Sequence, residues 1–319
     1  MTARRIATIA AACGAALVAS LLAVPARYEV EGLSMAPGLL PGDIVTTGPW
    51  PLADALRTPA RLDRWIVAAP DGTPAVKRVA GLPGEEVSIR DGDLVIDGRP
   101  ILKDPRVLAE MASPLVVLEG CATADGVRLP QAEVLDDATF ATEVNRPLWP
   151  VRDRGIAMVI RGGTSAATAC VEIAGTRITW RLPRATRTAV VAGSLDGHVV
   201  AVAWRLPVSA ASDRHGLPSG APARWSHAAP WPDAAAFHEA PAVAFTLSGG
   251  YGAVIEHMAV WRDVLYRPAA DGRDTWRLGA GEYLVLGDFP TGSVDSRAWG
   301  PLGRDRFRHR VAPPAVQTR

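Results

Sequence analysis

From Ile6 to Val24 the chain runs 19 residues without a charge. As a helix this stretch would be about 28 Å long, close to the thickness of a bilayer's hydrocarbon core. Beyond it the pattern changes period. Ala75, Lys77 and Val79 alternate with Val76, Arg78 and Ala80, so that each set occupies one face of a strand. The 30 glycines and 27 prolines cut such runs into strand lengths rather than helix lengths. The pattern predicts a mainly β protein behind one N-terminal transmembrane helix. Residues 171–183 and 190–207 read as hairpins, the second turning at Asp196-Gly197. "WRLP" occurs in both, at 180–183 and 204–207. Residues 208–241, rich in Pro, Ala and Ser, read as a long mobile loop. In it Trp225 and Trp231 either pin the loop to its own domain or offer a ring to a sugar or a membrane interface. Strand-like pairing resumes over 242–267.

Arg4 and Arg5 precede the apolar run, which holds the N-terminus in the cytoplasm and sends the rest across the membrane. A cleavable secretory signal competes with the anchor, because Val24-Pro25-Ala26 presents small residues to a processing enzyme. The run exceeds the roughly 7 to 15 apolar residues of such a signal, which favours the anchor. Both readings export the body. At 319 residues and 48% hydrophobic content, that body is long enough for a sizeable core. A net charge of +1, with no basic block, excludes nucleic acid as a partner. Cys121 and Cys170 either pair outside the cell or stay as buried thiols.

Of the 34 basic residues only Lys77 and Lys103 are lysines. Where lysine persists against an arginine background, a task arginine cannot perform is indicated, and giving up a proton is the main one. Lys77 sits on an apolar strand face, where burial disfavours its charged form. Lys103, in "ILKDPR", reads as a solvated charge. A neutral amine needs a nucleophile to activate, and Ser34 in "GLSMA" is the candidate. That stretch is one residue short of a G-x-S-x-G elbow, and Pro37-Gly38 and Pro41-Gly42 break the helix an elbow requires. The six histidines show no metal-ligand spacing, and neither metal nor cofactor is expected.

Three segments, "GLSMAPGLLPGDIV" (32–45), "VKRVAGLPGEEVSIRDGDLVIDGRPI" (76–101) and "YLVLGDFPTGSVDSRAWGPL" (283–302), taken in this order, resemble the boxes of bacterial type I signal peptidases. These are membrane-anchored serine proteases with a Ser/Lys dyad. The resemblance implies Ser34 as nucleophile and Lys77 as general base. It implies Ser293 as the hydroxyl that orients the lysine, with Asp295 and Arg297 as the ion pair supporting that loop and Gly287-Asp288 opening the box. The Ser34 backbone N–H would bind the oxyanion, and Gly32 and Met35 would meet the substrate. Gly32 stands where many members have a serine, "FPTG" (289–292) replaces a polar run, and Gly38 replaces a threonine after Pro37.

The implied organisation is a cytoplasmic N-terminus (1–5), an anchor (6–24), and a β-rich catalytic body at 25–103 and 276–319. A large β-rich domain at 104–275 is inserted between its halves. Implied partners are exported preproteins, bound as an extended strand, and membrane lipid; the insertion has an unknown partner or glycan. From Val24 to Ser34 an extended chain spans no more than about 35 Å, which keeps the nucleophile near the bilayer. Two other readings remain. A self-cleaving Ser/Lys protease of the repressor type would have a helix-turn-helix, and none precedes this body. An exported glycan- or protein-binding module would use the protease boxes as inactive scaffold.

Overall fold

The computed structural model describes residues 25–47, 56–119, 127–129, 135–136, 148–207, 217–230 and 241–311, with positions 14 and 54 besides. The apolar run at 6–24 (Gly14 apart), Cys121 and Trp231 lie outside the described residues. Among those described, no helix is long and apolar enough to cross a membrane.

In chain order the elements begin with β1 (Arg27–Glu29), β2 (Ile44–Thr46), β3 (Arg64–Ala68), β4 (Pro74–Gly81), β5 (Glu86–Arg90), β6 (Asp93–Ile96) and β7 (Arg99–Pro100). The helix α1 (Pro105–Met111) then leads to β8 (Ser113–Glu119), β9 (Val127–Leu129), β10 (Arg154–Arg161), β11 (Ala167–Ile173) and β12 (Thr176–Leu182). Next come β13 (Arg187–Leu195), β14 (His198–Leu206), β15 (His227–Pro230), β16 (Val243–Gly249) and β17 (Val254–Arg262). The chain closes through β18 (Thr275–Arg277), β19 (Glu282–Leu286), α2 (Ser296–Trp299), β20 (Leu302–Gly303) and β21 (Phe307–Val311).

Two sets of sheets result. The insertion is a sandwich of a six-stranded sheet, β15-β14-β13-β10-β17-β8, and a four-stranded sheet, β12-β11-β16-β9. Strand β11 alternates as expected, with Ala167, Ala169, Val171 and Ile173 inward against Ile156, Met158 and Phe245. Both expected hairpins form, β11–β12 and β13–β14. The second turns at Asp196-Gly197 with φ of 48° and 74°, the left-handed pair that matches strand twist and that Asp-Gly tolerates. The two WRLP copies end the second strand of each hairpin, one in each sheet, with Trp180 against the sandwich core and Trp204 on its outer face. Cys170, on β11, is a free thiol.

Part of the segment expected as a loop, 208–241, is instead strand β15, paired with β14. His-Ala-Ala-Pro has almost no strand signal of its own, so the neighbouring edge decides its state. Trp225 pins this segment, its indole N–H donating to the Lys103 carbonyl at 2.8 Å.

The second set, the body, holds the sheets β20-β19-β4-β3-β21 and β18-β5-β6-β7, with β1–β2 beside them. Val264, Tyr266 and Ala269 already pack into its core, so the sandwich strands end at Arg262 and the chain re-enters the body before 275. Strand β4 lies between β3 and β19, with Lys77 opposite Trp65 and Arg78 opposite Leu286. The residues that follow β19 therefore start beside the lysine strand.

Candidate active site

Ser34 lies in a run of turns between β1 and β2 and is half-buried. Met35 fixes that loop: it is 1% exposed and packs with Val30, Leu39, Val45, Ile66 and Val311. Its side chain is thus an anchor rather than the substrate surface the resemblance implied. Gly32 is exposed. The Ser34 carbonyl accepts the Phe289 N–H at 3.0 Å, tying the first box to the third.

Gly287 stands at that join. A Cβ there would meet the Ser293 hydroxyl and would lie 2.5 Å from the Ser34 oxygen, so only glycine lets the two segments approach.

Lys77 is 3% exposed, as its place on the apolar face of β4 predicts. Its amine donates to Ser293 Oγ at 3.2 Å and stands 5.8 Å from the centre of the Trp299 ring. Burial is the main reason its pKa falls from 10.5 to about 8; Arg297 adds to the fall, while Asp295 and Asp288 oppose it. Ser293 donates its own hydrogen to Asp295 Oδ2 at 2.8 Å. Its lone pairs are therefore left for the lysine.

Asp295, 1% exposed, also accepts from the Gly287 N–H at 3.0 Å and from Arg297 Nε and Nη2 at 2.9 and 2.8 Å. Burial alone would raise this carboxyl, but the Arg297 guanidinium and the Gly287 and Ser293 donors hold it below its usual range. Arg297 reaches on to the carbonyls of Pro290 and Ser293 at 2.7 and 3.3 Å. "FPTG" is thereby held as a short helical turn at Pro290–Gly292, by the ion pair rather than by polar side chains of its own.

Arg78, next to the lysine, was not singled out by sequence. It is 1% exposed and grips Asp288 with Nε at 2.8 Å and Nη2 at 2.6 Å. The signal was available: Arg78 alternates with Val76 and Ala80 along β4, and an arginine between two apolar strand positions needs a buried carboxylate.

Lys103 is a correction. It is 0% exposed, with its amine paired to Asp196 and, at 2.7 Å, to Asp263. Carboxylate oxygens of Asp93, Asp153, Asp196 and Asp263 lie within 4.8 Å of one another, a spacing a hard cation could use, and the ammonium sits among them. Burial, then Asp196 and Asp263, push Asp153 up to about 7. Asp196, lying 93 residues along the chain, gave no local cue to this pairing.

Residues 2–147 match the family model described as signal peptidase, peptidase S26. The match covers less than half of the chain, the part that holds Ser34 and Lys77. A similar protein is signal peptidase I V of Bacillus subtilis (strain 168), 25% identical over 142 residues, covering 42% of this chain and 82% of that protein. The family match spans the first two boxes and ends within the insertion. The signal peptidase-like segment at 283–302 lies beyond it and reaches the same site through β19.

Proposed function

We propose that this protein is a signal peptidase I, a membrane-anchored serine endopeptidase that cuts signal peptides from exported preproteins with Ser34 and Lys77. The observation that carries the reading is the Lys77 amine, buried and hydrogen-bonded to a hydroxyl whose own proton goes to Asp295. With one N–H committed to Ser293, the lone pair of the neutral amine is free to take the Ser34 proton. Ser34 Oγ attacks the scissile carbonyl while its proton passes to Lys77. Lys77 then protonates the leaving amine, and the mature protein departs. Water, deprotonated by the same lysine, hydrolyses the acyl-enzyme and frees the signal peptide.

The Ser34 N–H stabilises the oxyanion, and Gly32 leaves the backbone open to an extended substrate. The run at 6–24 anchors the chain with its N-terminus cytoplasmic and its body on the other side, beside the lipid from which the cleavage site emerges.

The test is processing of a preprotein by the detergent-solubilised chain. Ser34→Ala and Lys77→Arg should each abolish cutting. Lys77→Arg is the sharper variant, since it keeps a cation and removes the ability to deprotonate. Cleavage persisting in Lys77→Arg refutes the dyad. No cleavage by the wild type against any preprotein favours a binding module on an inactive scaffold.

A further inference from the structure

Helix α1, the first element after the second box, is wedged between the two units. Leu108 and Ala112 pack on the outer face of the sandwich with Val191, Val200 and Trp261, whereas Met111 packs into the body's core with Leu94, Tyr266 and Leu286. Its start is set by the Asp104 side chain, which accepts the Arg106 and Val107 N–H groups. Just before it, the Lys103 N–H and amine are held by Asp196 on the β13–β14 turn. The helix thus belongs structurally to both units.

Glu110, near its end, reaches the site in two ways. Its carboxylate lies 3.2 Å from Arg78 Nη1 and Nη2 and 3.3 Å from Arg64 Nε. Arg64 and Arg78 are directly opposite each other on β3 and β4 and are 3% and 1% exposed. Two buried guanidinium groups so placed repel, and the Glu110 carboxylate faces both of them. Asp288, gripped by Arg78, sits between Gly287 and Phe289, the residues in contact with the Ser34 carbonyl.

The second contact is backbone. A Cβ on residue 38 would lie 2.5 Å from the Glu110 carbonyl oxygen, so the helix sits on the Ser34 loop at a distance only glycine permits. This accounts for Gly38 in place of a threonine.

We propose that Glu110 is a positioning residue through which the inserted sandwich sets the geometry of the Ser34 loop. The proposal rests on Ser34 being the nucleophile. The insertion is then part of how the site is built, since misplacement of a nucleophile by about 1 Å costs of order 100-fold in rate.

The experiment measures kcat and KM for preprotein cleavage by the full chain in detergent, at a temperature well below unfolding. Wild type, Ser34→Ala, Glu110→Ala, Glu110→Gln and Gly38→Ala are compared. Glu110→Ala and Gly38→Ala should lower kcat by about tenfold or more with KM within about twofold, because the loop moves and substrate contacts remain. Glu110→Gln, which keeps an acceptor for Arg78, should recover part of the loss. Should Glu110→Ala fail to fold, Gly38→Ala and Glu110→Gln still decide. A kcat within twofold of wild type in both Gly38→Ala and the folded Glu110 variants overturns the proposal, even if their thermal midpoints fall. Cleavage by Ser34→Ala at the wild-type rate would instead sink the nucleophile assignment, and this inference with it.

Discussion

Replacing Lys77 by methionine should abolish cleavage and make the protein more stable at neutral pH. The side chain is 3% exposed, and its pKa stands at about 8 instead of 10.5. At about 1.4 kcal/mol per pH unit, that displacement corresponds to roughly 3 kcal/mol of strain on the folded state when the lysine is charged. Between about pH 8 and 10.5 the unfolded chain holds the proton and the folded one does not, so stability rises with pH across this window. Below about pH 8 both states are protonated and the full penalty applies. Methionine has a similar length and no charge, so it removes the penalty; the lost hydrogen bond to Ser293 returns about 1 kcal/mol. The net gain at pH 7 should be about 2 kcal/mol, shrinking to nothing or reversing by pH 10.5. Denaturant unfolding of wild type and Lys77→Met at both pH values measures it. A variant less stable at pH 7, or a difference that does not change with pH, would refute the burial argument from which the neutral base follows.

Ser293→Ala should lower kcat by about 10- to 100-fold, because the amine loses the hydroxyl that orients it, and should lower stability by about 1 kcal/mol for the lost hydrogen bond; steady-state kinetics and a thermal melt check both. Asp153→Asn should stabilise the protein above pH 7 and not at pH 4. A carboxyl raised to about 7 favours folding while protonated and loses that advantage as pH rises from about 4 to 7. Asparagine can still accept the Asp196 N–H now held at 2.6 Å, and parallel melts at the two pH values provide the measurement.

What could be read from the sequence was what depends on near neighbours. The Asp196-Gly197 turn carries its conformation in two residues, and Lys77 shows its apolar face by alternation along one strand. Scarcity of lysine pointed at both Lys77 and Lys103, yet only the first was read as buried. Lys103 is followed by Asp104 and flanked by no strand pattern, and its counter-ions arrive on the β13–β14 turn and after β17. The same limit hid Glu110, whose importance depends on a helix meeting β3 and β4 from outside the body. Strand β15 was missed because its pairing with β14 comes from the sheet edge rather than from His227–Pro230 themselves. Sequence gives a residue's inclination; the pairings that override it act at long range.

Both lysines of the chain are enclosed, at 3% and 0% exposure. The outer surface therefore offers neither lysine amine to acylating reagents, crosslinkers or activated resins. Of the two hidden amines, Lys103 is tied up as a cation, whereas Lys77 becomes largely uncharged and nucleophilic above about pH 8. A small amine-directed reagent that does modify the folded body would thus report directly on Lys77, the proposed base, without any label having been engineered in.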